Sequence, residues 1–210
     1  MGASDTVWRQ SLQSEAGVAA RQCACALLWD FQKYYEGLNI AQVEARCVKR
    51  GFPAAISRLA CQAYRGPRFL SLQGVISPGY YATSGVVAGC PFATTFIRIN
   101  SLDGLDSICW HPCLSYSLYI DDNGLHAVGS YKDVLHAVTD GSRQLHRVIS
   151  EDIGAKLAED KAVLLCSNKA LGADIQAELG ASLTGPLCAA STNLGVDDSV
   201  GQPLRHAGRN

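Results

Sequence analysis

The sequence predicts an α+β fold in which helices pack on one face of an antiparallel sheet. Three observations carry this. The run Cys23 to Phe31 (CACALLWDF) is apolar until it meets Asp30, as a buried strand is when it delivers a polar group to a sheet edge. Two β-preferring segments, Leu114–Ile120 and Leu125–Val128, flank a short polar turn. Stretches with helical periodicity separate these strands, giving the order strand, helices, paired strands, helix, strand.

Residues 1–22 are polar and mixed, with a short helix expected from Ser11 to Arg21. Asn39 is placed to cap a helix through Val43, Cys47 and Val48 that ends at Gly51, and Pro53 opens a second helix carrying Ile56, Leu59, Ala60 and Ala63. Gly74, Pro78 and Gly79 break Arg68–Tyr81 into short strands. A glycine-flanked segment, Ser84–Cys90, precedes a helix expected from about Pro91 to Leu102. The turn Asp121–Gly124 then places a double aspartate in a hairpin. Val134, Leu135, Val138, Leu145, Val148, Ile149 and Ile153 mark a long amphipathic helix weakened at Gly141. Ala162–Cys166 reads as a strand, Ala170–Leu179 as a helix stopped by Gly180, and Pro186–Val196 as a last weak strand. The tail beyond Asp198 is expected to fray.

At 210 residues the chain can bury a sizeable core, and 48% hydrophobic with 18% charged residues excludes a disordered chain. The 18 basic and 19 acidic side chains sum to -1, so no global positive field draws the protein to a phosphate backbone. Arg46, Lys49, Arg50, Arg58, Arg65 and Arg68 cluster in sequence, either as solvated helix faces or as a local basic surface. Nine cysteines, an odd number at irregular spacing with no secretory leader, read as free thiols of an intracellular protein, cytoplasmic or nuclear and not secreted. Cys23-x-Cys25 and Cys109-x-His111-x-Cys113 lack the paired spacing of structural zinc. No run approaches the ~20 apolar residues that cross a bilayer, so no membrane partner is expected.

The acids carry the chemistry. Nucleotidyl transfer needs an activated hydroxyl and a neutralised pyrophosphate leaving group, which two Mg²⁺ ions about 4 Å apart supply when carboxylates hold them. Asp30 at a strand end and Asp121 with Asp122 in a hairpin provide such carboxylates if their strands are neighbours. A double aspartate alone is ordinary turn chemistry; what points further is a set of segments in one order.

Leu27-Leu28-Trp29-Asp30-Phe31-Gln32-Lys33-Tyr34-Tyr35-Glu36 resembles the first catalytic motif of reverse transcriptases of the retrotransposon and group II intron type. Ser84–Phe92 (SGVVAGCPF) is similar to that family's glycine-rich motif, with Ala88 where the family usually has Gln. Tyr119-Ile120-Asp121-Asp122 matches its Y-x-D-D signature. Gly154–Leu165, with Lys161, is similar to the next motif, and Leu194-Gly195-Val196 resembles the primer-grip neighbourhood.

The resemblance covers Cys23–Val196 and implies a polymerase palm over residues 23–198, an N-terminal segment 1–22 left from truncated fingers, a flexible tail 199–210 and no thumb. It implies RNA-directed DNA synthesis with two Mg²⁺ (or Mn²⁺) ions on Asp30, Asp121 and, in support, Asp122. Lys161 would lie near the triphosphate and act on the leaving group. Tyr35 would gate against ribose, and Ser84, Gly85 and Gly89 would contact template and nascent base pair, with Phe31 and Tyr119 completing the substrate contacts. The implied partners are an RNA template, a DNA primer and dNTPs, and the implied source is a retroelement polyprotein. Two other readings stay open: a catalytically silent remnant that binds nucleic acid or a protein, favoured by the near-neutral charge and Ala88, and another palm-like nucleotidyl enzyme such as a cyclase.

Overall fold

The strand expected at Cys23–Phe31 forms one residue longer, and the rest of the sheet is assembled around it. In the computed structural model, residues 3–87, 89–120, 122–193 and 196–201 are described; Ala88, Asp121, Leu194, Gly195 and both ends lie outside them. The chain runs α1 (Ala3–Ala19), β1 (Cys23–Gln32), α2 (Tyr34–Gly37), α3 (Ile40–Lys49), α4 (Ala54–Arg65), β2 (Pro67–Arg68), β3 (Ser71–Leu72), β4 (Val75–Ile76), β5 (Tyr80–Tyr81) and α5 (Ala93–Asp106). It continues through β6 (Leu114–Tyr119), β7 (Asp122–Gly129), α6 (Tyr131–Arg147), a π-helical turn (Val148–Ile153), β8 (Lys156–Leu157), a 3₁₀ turn (Glu159–Lys161) and β9 (Val163–Cys166). Last come α7 (Lys169–Leu179), α8 (Ala181–Thr184), β10 (Leu187–Cys188), β11 (Ser191–Asn193) and β12 (Val196–Asp198). These elements gather into two compact units, one of Met1–Phe31, Ile108–Arg147 and Leu157–Asn210, the other of Gln32–Ser107 and Val148–Lys156.

In the first unit β1 is central. An unbroken antiparallel register joins it to β7 from Cys23↔Gly129 to Asp30↔Asp122, and a second joins it to β9 from Cys25↔Cys166 to Leu28↔Val163. The order is β10-β9-β1-β7-β6, with β8 also beside β1. The sheet is mixed, not purely antiparallel as the sequence suggested. α7 and α8 form a helical crossover after β9, so β10 returns parallel to it, as parallel neighbours require. The single weak strand expected at Pro186–Val196 is divided into β10, β11 and the start of β12, the last two forming a separate hairpin.

Helices cover both faces of this sheet, which corrects the one-faced arrangement. Alternate residues of a strand point to opposite faces. On one face Leu125 and Ala127 are fully buried and α6 packs closely, a Cβ on Gly141 falling 2.5 Å from Leu114 Cδ2. Gly141 is therefore less a weak point of the helix than the place where it approaches the sheet. On the other face α1 covers Ala24, Ala26 and Leu165, with Val18 and Val128 packed on them. The apolar run of β1 shows both parities, the mark of a strand buried on two sides. The helix expected at Ser11–Arg21 begins earlier, at Ala3, and its inward stripe, Val7, Gln10, Ser14 and Gly17, is mostly polar or small, which hides its first turns from a hydrophobic pattern.

Ser14 Oγ meets His126 Nε2 at 2.7 Å between α1 and β7. Val200 is buried against the same cluster and its N–H donates to Asp198 Oδ1 at 2.9 Å, so the chain is packed through Val200 instead of fraying after Asp198. Cys25 and Cys166, opposite each other on β1 and β9, are buried with sulfurs 3.3 Å apart, and all nine cysteines are free. Their mutual contact and burial push the Cys25 thiol up, away from the reactive thiolate.

The second unit is helical. Asn39 caps α3 as expected, its Oδ1 accepting from the Ala41 and Gln42 N–H groups. Phe96 of α5 is buried, with Phe52 and Tyr64 edge-on at 5.6 and 6.2 Å. The broken Arg68–Tyr81 stretch forms two nested ribbons, β2 with β5 and β3 with β4. Phe69, Leu70, Leu72, Val75 and Ile76 remain exposed there, because two-stranded ribbons bury little between themselves. Among the described residues no helix is long and apolar enough to cross a membrane.

Two measurements test this packing. Gly185 has φ 61, and a Cβ there would fall 1.8 Å from the Ala162 carbonyl oxygen. Gly185→Ala is expected to lose roughly 2–4 kcal/mol in urea unfolding. Burial lowers the pKa of His126, with the Asp198 charge opposing in part. A histidine held neutral in the fold stabilises fully above its unfolded pKa, and that stability is lost as pH falls through it. Unfolding midpoints should therefore drop as pH falls below about 6.5, the ordinary histidine value, and His126→Gln should flatten that slope.

Candidate active site

Asp30 ends the apolar stretch of β1, and the unbroken register sets it directly opposite Asp122, the first residue of β7. Opposite residues of an antiparallel pair share a face, with Cβ atoms about 4.5–5.5 Å apart. The condition set by the sequence, that the two acidic strands be neighbours, is met for this pair. Asp122 belongs to the strand and not to the turn, because β7 begins three residues earlier than Leu125. It is paired to Tyr119, leaving a two-residue connection, Ile120 and Asp121. Short hairpin loops need positive φ at their first residue, and Ile120 has φ 61, a conformation a β-branched residue seldom takes. Asp121 itself lies outside the described residues.

Lys161 is brought to the same acid. The Ala158 N–H donates to the Asp30 carbonyl at 2.8 Å and the Lys161 N–H to the Ala158 carbonyl at 3.0 Å, which anchors the 3₁₀ turn beside the end of β1. Lys161 Nζ then forms an ion pair with Asp30 Oδ2. The pairing continues the β1–β9 ladder, since Leu28↔Val163 is followed two residues on by Asp30 and Lys161. Asp30 Oδ1 is buried and accepts no hydrogen bond. An orphaned carboxylate oxygen beside a second carboxylate suits a hard divalent cation. Among the described residues no group of three His, Cys, Asp or Glu side chains is arranged for a metal, and the third acid of the expected set is Asp121. Phe31 is buried at the end of β1, while Tyr119 is exposed.

The remaining residues singled out in the sequence belong to the second unit, where two motifs meet. The Val86 N–H donates to the Tyr35 carbonyl at 2.8 Å, the Gly85 N–H to the Leu38 carbonyl at 2.9 Å, and Ser84 Oγ to the Glu36 carbonyl at 2.9 Å. Gly85 needs its glycine, having φ 99 and the Glu36 backbone 3.1 Å from where a Cβ would stand. Gly89 has φ 87 in open space. Tyr35 is half-buried; its neighbour Tyr34 is the core aromatic, its hydroxyl 2.8 Å from Ser101 Oγ and its pKa pushed up to about 12 by burial. A cleft of about 360 Å³ in this unit is lined by Lys33, Tyr34, Glu36, Gly154 and Lys156. Neither lysine carries a spacing signal of its own in the sequence.

No protein-family model matches the chain, and no curated protein matches it in sequence. Solved structures do match it. One is telomerase from Candida tropicalis in complex with the TWJ fragment of telomeric RNA, with TM-score 0.58 and 12% identity over 80% of this chain. Another is apo telomerase from Candida tropicalis truncated from its C-terminal domain, with TM-score 0.53 and 13% identity over 96% of this chain. The fold is reverse-transcriptase-like. The chain spans 30% and 39% of the length of those two telomerase chains.

Within this reverse-transcriptase-like fold the sequence cluster of basic residues is largely engaged internally. Lys49 and Arg50 pair with Asp103, Arg50 also with Asp106, and Arg65 with Glu44. Lys49 and Arg50 hold the Asp103 carboxyl below its usual range. Arg46 is buried, donating to the Asn100 carbonyl and to both the carbonyl and the carboxylate of Asp152, so it ties α3 to α5 and the π-helical turn. Removing one member of such a buried network leaves the others unpaired. Arg46→Ala is expected to cost about 3–5 kcal/mol in equilibrium unfolding, whereas Arg58→Ala, on an exposed position, should leave the midpoint unchanged.

Proposed function

We propose that this chain is the palm region of a reverse transcriptase of retroelement type, carrying out RNA-templated DNA synthesis with two Mg²⁺ or Mn²⁺ ions held by Asp30, Asp121 and Asp122. The observation that carries the proposal is the cross-strand pair Asp30 and Asp122 at the end of the central strands, in a telomerase-like fold. The ions, when bound, activate the primer 3′-hydroxyl and neutralise the leaving pyrophosphate. The chain's part is to present carboxylate oxygens in fixed geometry. Asp30 does this from a strand buried on both faces, and Asp122 from its hydrogen-bonded neighbour. Asp121, the third acid, is assigned by its place in the Tyr119–Asp122 signature. Tyr35, by resemblance, rests against the incoming sugar and excludes a ribose 2′-hydroxyl. Gly85 and Gly89 allow backbone to approach the template and nascent base pair.

A second reading is supported by a specific observation. Lys49, Arg50 and Arg65 are neutralised within the chain, and the net charge is -1, so electrostatic grip on a phosphate backbone is weak. A catalytically silent relative that binds RNA or a protein partner would have these features. Primer extension on an RNA template separates the two. Mg²⁺-dependent dNTP incorporation by the wild type, lost by at least about a hundredfold in Asp121→Ala, is expected of an enzyme whose acids stabilise transition-state charge. Equal incorporation by both proteins overturns the assignment of the acids; salt-dependent RNA binding with no synthesis supports the silent form.

A further inference from the structure

The same carboxylate that is read as a metal ligand is already partnered. Asp30 Oδ2 is ion-paired to Lys161 Nζ, and Asp30 Oδ1 is buried without a hydrogen bond. An ionised carboxylate taken largely out of water needs a compensating positive charge, and without a divalent ion the ammonium supplies it. We propose that Lys161 is a counter-ion gate: it neutralises Asp30 until a divalent cation arrives, and its ammonium must leave Oδ2 before that cation can bind. The inference rests on the reading of Asp30 as a metal ligand.

The local architecture allows this exchange without moving the sheet. The base of Lys161 is fixed by its N–H bond to the Ala158 carbonyl, and Ala158 in turn is bonded to the Asp30 carbonyl. Gly185 packs on the Ala162 carbonyl and holds the other side of the turn. The Lys161 side chain, by contrast, is 61% exposed, while that of Asp30 is 18% exposed. A lysine ammonium on a flexible, solvated stem rotates away at little cost, whereas the rigid guanidinium of arginine prefers to keep a carboxylate. The ammonium and a divalent ion repel each other at one carboxylate, so metal and lysine compete. Lys161 thereby acts through Asp30, as a positioning residue for the ion. Once displaced, its charge is free to meet a phosphate, the role the resemblance assigns to it.

Direct Mn²⁺ binding, read from the electron paramagnetic resonance signal of free Mn²⁺, tests the gate without reference to catalysis. Wild type, Lys161→Met, Lys161→Arg and Asp30→Asn are compared, with circular dichroism to confirm that each is folded. Lys161→Met should bind Mn²⁺ roughly tenfold more tightly than wild type, Lys161→Arg no more tightly than wild type, and Asp30→Asn more weakly. If Asp30→Asn weakens binding but Lys161→Met matches wild type or falls below it, the gate is overturned while the metal reading stands. If binding is unaffected by Asp30→Asn, the metal reading fails and the gate fails with it. Should Lys161→Met not fold, Lys161→Gln carries the comparison with the same expected direction.

Discussion

The two-sided pairing of β1 is the constraint on which the first unit depends. One strand is hydrogen-bonded to β7 over eight consecutive register pairs and to β9 over four, and it has a helix on each face. Because neither register contains a bulge, the alternation of side chains persists along the whole strand. Slipping β7 by one residue would send Asp122 to the opposite face from Asp30 and turn Leu125 and Ala127 from the α6 side of the sheet to the α1 side, where no space is shaped for them. The burial of the apolar residues and the alignment of the acids are thus one requirement. That coupling explains how a strand of alternating alanine, cysteine and leucine can hold a carboxylate in place at its end.

The electrostatics at that end follow from the same geometry. Asp30 is the first polar residue after the buried stretch, so it is partly desolvated and needs company. The antiparallel neighbours supply opposite things: β7 brings another acid, and the turn before β9 brings Lys161. On the proposed reading, a carboxylate with one like charge and one opposite charge beside it is poised between two cations, its own lysine and an external one. The strained backbone at Ile120 adds a second sign of specialisation, since a positive φ at a β-branched residue persists only where the surroundings impose it.

Much of this was legible in the sequence. The central strand that runs apolar up to Asp30, the hairpin after Tyr119 and the Asn39 cap are all written in residue type and spacing, because each satisfies a local rule. What escaped was set by packing over long sequence separations. The helix expected from Ser11 starts at Ala3, and the side it buries, Gln10, Ser14 and Gly17, is one no hydrophobic pattern selects; its bonding to His126 spans more than a hundred positions. Arg46 looked like one basic residue among six, yet it alone is buried in a network with Asn100 and Asp152. The extent of β7 is hidden for a related reason: Asp122 and Gly124 are poor strand formers, and pairing with both β1 and β6 holds them extended.

The claim most in need of a direct measurement is that the ends of β1 and β7 form one divalent-cation site. Fe²⁺ substituted for Mg²⁺, with ascorbate and peroxide, cleaves the backbone close to where it is bound, and the fragments are mapped by mass spectrometry. Cuts confined to the neighbourhoods of Asp30 and of Ile120 to Asp122, and suppressed by added Mg²⁺, are expected. Cleavage at other positions, or cleavage that Mg²⁺ does not suppress, would contradict the site.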